Sequence, residues 1–252
     1  RPGGNGIIAA MAVKQAPADG YTLFLGTNTH LAVNPIVVKD LPYDPVKDLK
    51  PITGLARGMM IFVGNPQSKI TNVADLVKAS KAQPQGLSVG TYTAGFHLSA
   101  AWFASESSIP FVNVSYKGAP EVFLGLMAGQ LEWGVSDLIA AMPQVKAGKL
   151  RALAVSGEAR HPDYPDIPTL KEQGYDVVLG NWRAVYGAPD ITAAQRAALT
   201  DMVVKASKSK SWTDALAKNN WTPALLTGKT FDDFVDDEFA RLRGIMHLSG
   251  MV

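Results

Sequence analysis

Between Tyr116 and Thr169 the chain changes hydrophobic period at short, regular intervals, and small glycine turns mark each change. Tyr116-Lys117-Gly118 leads into a helical pattern over Glu121 to Ala128, and Gly129 turns it into an apolar run from Leu131 to Val135. A second helical pattern covers Leu138 to Ala147, Gly148 turns again, and Leu150 to Val155 is the next strand before Asp166-Ile167-Pro168-Thr169. Helix, strand, helix, strand with tight turns is the rhythm of an open α/β sheet, and few other architectures accept it.

Composition narrows the rest. At 252 residues there is room for two ordinary domains or one large one. Apolar residues make up 47% and charged residues 18%, which predicts a sizeable core rather than a disordered chain. A net charge of +2 with scattered lysines excludes the electrostatic footprint of a nucleic-acid binder. The apolar runs, such as Met59 to Val63, are too short to span a bilayer, so no direct membrane insertion is expected. The absence of cysteine excludes disulfides, thiolate metal sites and a cysteine nucleophile, and is compatible with an oxidising compartment. The chain opens at Arg1 with neither a methionine nor a signal peptide, so it reads as a processed or truncated piece.

The alternation extends along most of the chain. Helices are expected over Gly6 to Gln15, His30 to Val38, Asn72 to Ala82 (capped by Thr71) and Phe96 to Ser105. Strands are expected over Tyr21 to Leu25, Leu55 to Val63, Leu87 to Gly90, Phe111 to Tyr116, Val177 to Leu179 and Arg183 to Tyr186. Leu41 to Pro51 and Glu158 to Pro168 are proline-rich loops, and Leu170 to Gln173 is one helical turn. From Thr192 onward the pattern is helical, over Ala193 to Ser207, Trp212 to Asn219 and Phe231 to Met246, with Thr192, Ser211 and Thr230 as N-caps. The last helix is acidic at its start and basic at its end, which complements its dipole and reads as a solvated face. Met59 to Asn65 and Arg183 to Ala188 are the candidate crossover strands between two lobes, one made of residues 1–63 and 187–252, the other of residues 64–186.

Three loops join a strand to a helix: Gly26-Thr27-Asn28-Thr29-His30, Gly90 to His97, and Ser136-Asp137. Such turns present free backbone N–H groups and the positive end of a helix dipole, and glycine with small hydroxyl residues lets an anion approach. In open α/β sheets ligands sit at the carboxyl ends of strands. Each loop therefore has two readings, a carboxylate site or an ordinary N-cap, since Thr and Ser cap most helices. Arg183 is suited to a bidentate fork on a carboxylate and Trp182 to walling a pocket; the plainer reading is a core tryptophan and a surface arginine. His30 and His97 lack the spacing of a metal pair, no Gly-x-Ser-x-Gly elbow occurs, and Arg1 to Gly6 lacks the ending of a phosphate loop. No catalytic residues, metal or cofactor are expected.

Arg1-Pro2-Gly3-Gly4-Asn5-Gly6, Pro17 to Leu23 followed by Gly26, and Leu41-Pro42-Tyr43-Asp44-Pro45-Val46-Lys47-Asp48-Leu49 resemble motifs of the Bug-type periplasmic solute receptors of tripartite tricarboxylate transporters. Asn181-Trp182-Arg183, Ile191-Thr192 with Gln195 to Leu199, and Asn220-Trp221 are similar to the tricarboxylate-receptor branch. The resemblance covers nearly the whole chain. It implies a type-II periplasmic-binding-protein fold, α/β throughout, in which two lobes close around a small organic acid and then dock on membrane permease subunits. It implies a periplasmic location. The ligand-holding roles would fall on Thr27 and Asn28 in the first lobe, and on Thr91, Thr93, Gly95, Phe96, His97, Ser136 and Asp137 in the second, with Trp182 and Arg183 near the interlobe strand.

Two departures accompany it. The family's mature chain opens about one strand and one helix earlier, so the resemblance implies that the first strand and helix of lobe 1 are missing here and that neighbouring strands form an exposed edge. The loop from Gly90 to His97 is about two residues shorter than in many relatives. Asp137 is an acid where an anion site would prefer none; binding an amino group, orienting a hydroxyl and pointing away are all open to it. The leading expectation is a non-enzymatic receptor for a tri- or dicarboxylate. The alternatives are a receptor for an aromatic carboxylate such as terephthalate, with Tyr92, Phe96 and Trp182 as an apolar slot, an enzyme on a two-lobed fold, and a truncated receptor that no longer binds ligand.

Overall fold

The structure, a computed structural model, describes residues 6–252, so the Arg1 to Asn5 part of the glycine-rich opening lies outside the described residues. The chain divides into two compact units: Arg1–Gly58 with Asn181–Ile245 and Val252, and Met59–Gly180 with Met246–Met251.

In chain order the first elements are α1 (Ile7–Lys14), β1 (Leu23–Thr27), a π-helical stretch (Thr29–Val33) running into α2 (Asn34–Val37), and β2 (Lys50–Gly64). Next come α3 (Val73–Lys81), β3 (Leu87–Thr91), α4 (Ala94–Ser107), β4 (Phe111–Ser115), α5 (Ala119–Met127), β5 (Trp133–Asp137), α6 (Leu138–Lys146) and β6 (Arg151–Val155). The chain closes with β7 (Gly180–Gly187), α7 (Ala193–Ala206), α8 (Lys210–Lys218), β8 (Trp221–Thr227) and α9 (Gly228–Leu248).

The second unit is built on a mixed sheet in the order β6-β2-β5-β3-β4. β3 pairs in parallel with β4 (Leu87↔Phe111 to Thr91↔Ser115) and with β5 (Val89↔Trp133), because a helix carries the chain back after each strand. The end of β2 pairs antiparallel with β5 and with β6. Alternation along β2 sends Ile61 and Val63 to one face, where they meet Val122, Leu126 and Leu138. Phe62 points to the other face, stacked on Trp133 at 5.8 Å and edge-on to Phe103 of α4 at 5.5 Å. Both faces are covered by helices, as expected of a parallel-rich sheet.

The first unit holds the order β1-β7-β2-β8. β1 runs antiparallel to β7 from Leu23↔Gly187 to Thr27↔Arg183. Ala10, Val13, Phe24, Leu31, Trp182, Tyr186 and Phe231 form the core on one side. Ile52, Leu55, Val185, Ile191 and Leu199 form a second cluster, with Trp212 and Trp221 packed against it.

Several expectations need correction. β8 lies in a segment expected to be helical only; it pairs with β2 (Thr53↔Thr227 to Gly58↔Trp221) across an irregularity at Gly54/Ala56. Pro223 obscured it, yet the missing N–H of a proline is tolerated on an edge strand. Val177 to Leu179 forms no strand; the Leu179 amide donates to the Ser156 carbonyl at 3.2 Å just before β7 begins. Asn72, not Thr71, caps α3 by accepting the Asp75 amide, while the Thr71 hydroxyl donates to the Asp75 carboxylate. Ser209 rather than Ser211 caps α8, and α9 starts at Gly228, ahead of Thr230. Thr192 is the N-cap of α7 as expected, and it forms a capping box with Gln195. The α9 face is not simply solvated: Phe231, Leu242 and Met246 are fully buried, and Asp232 pairs with Arg196 at 2.6 Å.

Gly90 lets α5 approach the sheet. A Cβ there would meet Leu131 Cδ1 at 2.6 Å and Val122 Cγ1 at 2.8 Å, both buried. Overpacking of this kind costs about 1–3 kcal/mol. Gly90→Ala is therefore expected to lower unfolding free energy by that amount in urea titrations, and an unchanged midpoint would contradict the packing described.

Candidate functional site

Four of the expected residues come together with Tyr92 in the second unit. β3 and β5 are neighbours, so their carboxyl ends, Thr91-Tyr92-Thr93 and Ser136-Asp137, open at the same end of the sheet. Tyr92 bridges them: its hydroxyl lies 3.0 Å from the Ser136 hydroxyl and accepts the Asp137 amide N–H at 3.3 Å. Its ring packs on Phe96, with centroids 4.4 Å apart. Burial, reinforced by the charge of Asp137, pushes the Tyr92 phenol up to about 12, so it stays protonated at any physiological pH.

Thr93 is the N-cap of α4, its hydroxyl accepting the Phe96 amide at 3.4 Å. The first-turn amides of Ala94 and Gly95 have no intrahelical acceptor by the geometry of a helix start. They carry the positive end of the α4 dipole, with no acidic residue in that turn. Phe96 is buried, packed behind the turn against the Tyr92 ring. Thr91 is fully buried and donates to Asn113 Oδ1 at 2.8 Å, so its hydroxyl serves the neighbouring strand. His97 packs edge-on to Phe111 at 6.2 Å, and burial lowers its pKa. This places His97 in packing between α4 and β4.

In the first unit, register sets Thr27 of β1 directly opposite Arg183 of β7. The Thr27 amide donates to His30 Nδ1 at 3.0 Å, and its hydroxyl lies 3.2 Å from the same nitrogen. The bond fixes the tautomer: Nδ1 accepts, so the neutral ring carries its proton on Nε2. Burial lowers the His30 pKa to about 4. Asn28 is fully buried and accepts the Thr29 amide at 3.0 Å, starting the π-helical stretch. Arg183 is only 8% exposed; its guanidinium lies 4.2 Å over the Trp221 ring and donates to the Asn181 carbonyl. Trp182 belongs to the core of the unit, its indole N–H donating to Glu238 at 3.1 Å.

Among the described residues no cluster of three or more His, Cys, Asp or Glu side chains is placed to hold a metal ion, and no helix is long and apolar enough to cross a membrane. Two structural roles escaped the sequence reading. Tyr92 reaches Ser136 across 44 residues, which local spacing does not show. His30 lies three residues from Thr27, and the polar turn around it was the one available clue.

The model of the tripartite tricarboxylate transporter family receptor, TctC, matches residues 1–251. The chain belongs to this receptor family. Family members are periplasmic solute-binding receptors. Among relatives, BugT of Bordetella pertussis is 28% identical over 254 residues, covering 99% of this chain and 78% of BugT. The solved structure of R. palustris Rpa4515 with adipate superimposes with a TM-score of 0.88 at 29% identity, covering 99% of this chain and 85% of that one. The periplasmic binding protein BugD shares the fold, with a TM-score of 0.85 at 19% identity over 98% of this chain and 84% of that one. The open α/β fold expected of a periplasmic binding protein is thus the fold found.

The His30 bond gives a pH test. Its folded pKa of about 4 lies below the unfolded 6.5, so the unfolded chain binds the extra proton first. Stability contributed by the neutral ring is full above pH 6.5 and falls as pH drops towards 4, by up to about 3 kcal/mol. His30→Gln, which keeps an acceptor for the Thr27 amide, is expected to remove that slope. Parallel pH-stability curves for the two proteins would refute the buried neutral ring.

Proposed function

We propose that this protein captures a small organic di- or tricarboxylate in the periplasm and presents it to membrane permease subunits of a tripartite tricarboxylate transporter, without transforming it. The observation that carries the reading is the β3–α4 turn, set in a chain that matches the receptor family along its length. There the amides at the start of a fourteen-residue helix, the Thr93 hydroxyl and the Tyr92 ring lie together. Backbone dipoles and hydroxyls suit a carboxylate that must be released again.

In the second unit Thr93 and Gly95 are proposed as the ligand-holding turn, with Phe96 packed behind it and Ser136 and Asp137 tied to it through Tyr92. In the first unit the Thr27-Asn28 turn and Arg183 are the candidates, Arg183 opposite Thr27 in the β1–β7 pairing. Adipate in the R. palustris relative supports a dicarboxylate for this chain too. The Tyr92–Phe96 contact favours an aromatic carboxylate such as terephthalate as the second reading.

A thermal-shift panel of citrate, malate, adipate and terephthalate tests this. A ligand present at a hundred times its Kd adds about 2.7 kcal/mol to the folded state, which raises the melting temperature by roughly 5–10 °C for a chain of this size. At least one member of the panel is expected to do so, and a flat response to all four overturns the reading.

A further inference from the structure

β4 ends where the β3–α4 turn opens, because it runs parallel to β3 with Ser115 opposite Thr91. The Tyr116 amide donates to the Thr91 carbonyl at 2.8 Å, which holds the two strand ends one strand spacing apart, about 4.8 Å. Thr91, Asn113 and Ser115 share the face on which α4 lies, where His97 packs on Phe111. Burial sets the polarity of their hydrogen bonds. Thr91 is only 1% exposed, and its hydroxyl proton goes to Asn113 Oδ1 at 2.8 Å. Turning the Asn113 amide over would leave that buried proton without an acceptor, whereas the exposed Ser115 can always turn to water. Asn113 Nδ2 therefore donates outward to Ser115 Oγ at 3.1 Å, and Ser115 keeps its own O–H as a donor.

Two residues on, the Lys117 ammonium is exposed and makes no hydrogen bond or ion pair among the described residues. The start of α5 is no anion site by itself: Pro120 lacks an N–H, and Glu121 Oε2 accepts the Lys117 backbone amide at 3.1 Å. A helix start such as that of α4 carries roughly half a positive charge, and a dicarboxylate brings two negative ones. Asp137, at the end of β5 on the other side of β3, makes the shortfall larger. The four-carbon stem of Lys117 is long enough to cross one strand spacing and supply the missing charge.

We infer that Ser115 and Lys117 form a second carboxylate-holding point in the second unit, which takes a dicarboxylate laid across the ends of β3 and β4. One carboxylate sits on the Thr93–Gly95 turn, and the other accepts from Ser115 Oγ–H and Lys117 Nζ. The inference rests on the receptor reading proposed above and adds two residues to it.

The experiment is calorimetric titration of wild type, Lys117→Gln, Lys117→Arg and Ser115→Ala with adipate, terephthalate, malate and citrate, each at low and at physiological salt, with melting temperatures recorded without ligand. Both side chains are exposed, so all three variants are expected to melt close to wild type. For the acid that wild type binds most tightly, Lys117→Gln is expected to weaken binding by about tenfold and to flatten its salt dependence. Ser115→Ala is expected to cost about fivefold, and Lys117→Arg about twofold or less. A merely structural role would lower the melting temperature and leave the salt dependence alone. Unchanged affinity in Lys117→Gln or in Ser115→Ala overturns the inference, as does a loss in Lys117→Arg as large as in Lys117→Gln, and each of these leaves the receptor reading standing. Wild type that binds none of the four acids defeats the receptor reading, and the inference with it.

Discussion

β2 must satisfy its backbone on both edges in both units. Its first half lies between β7 and β8 in one sheet order, and its second half between β6 and β5 in the other. A strand of fifteen residues with partners on either side leaves little solvated edge, and where the ladder does not serve it side chains do: the Met60 amide donates to Ser156 Oγ at 3.1 Å, and the Pro51 carbonyl accepts from Arg196. The sequence answers with Ile52, Ala56, Ile61, Phe62 and Val63 in full burial. It places Gly54 and Gly58 where a side chain would crowd Leu226 or the Arg183 guanidinium. The neighbouring strands, and through them the turns at their ends, take their positions from this pairing.

The parts of the fold legible in the sequence are those whose determinants are local. Leu131 to Ala147 reads directly because apolar period, glycine turns and strand length agree over a short span, and β5 and α6 form there. Thr192 with Gln195 is legible for the same reason, as a capping box lies within one turn. β8 was hidden because its reason for existing is an edge of β2 more than 160 residues away, which outweighs the poor strand propensity of Pro223. The α9 charges are legible but its buried face is not: Phe231, Leu242 and Met246 show that the acidic start coexists with a packed stripe.

The candidate site divides along the same line. Thr93 at the start of α4 follows from spacing alone. The roles of Thr91, His97 and Trp182 do not, because each depends on what stands opposite: Asn113 takes the Thr91 hydroxyl, Phe111 the His97 ring, and Glu238 the Trp182 indole. A polar residue at a strand end is committed or available according to its neighbour across the sheet, and one sequence read along its length cannot say which.

Both units treat a turn amide in the same way. His30 Nδ1 accepts the Thr27 amide in one, and the Tyr92 hydroxyl accepts the Asp137 amide in the other. Burial moves the two pKa values in opposite directions, to about 4 and about 12, and the outcome is common: each side chain is neutral across the physiological range. A charged side chain at either place would alter the potential at the turn with pH. A neutral acceptor fixes the backbone geometry of the turn without adding a charge of its own. A receptor built on such turns owes its hold on an anion to fixed backbone geometry.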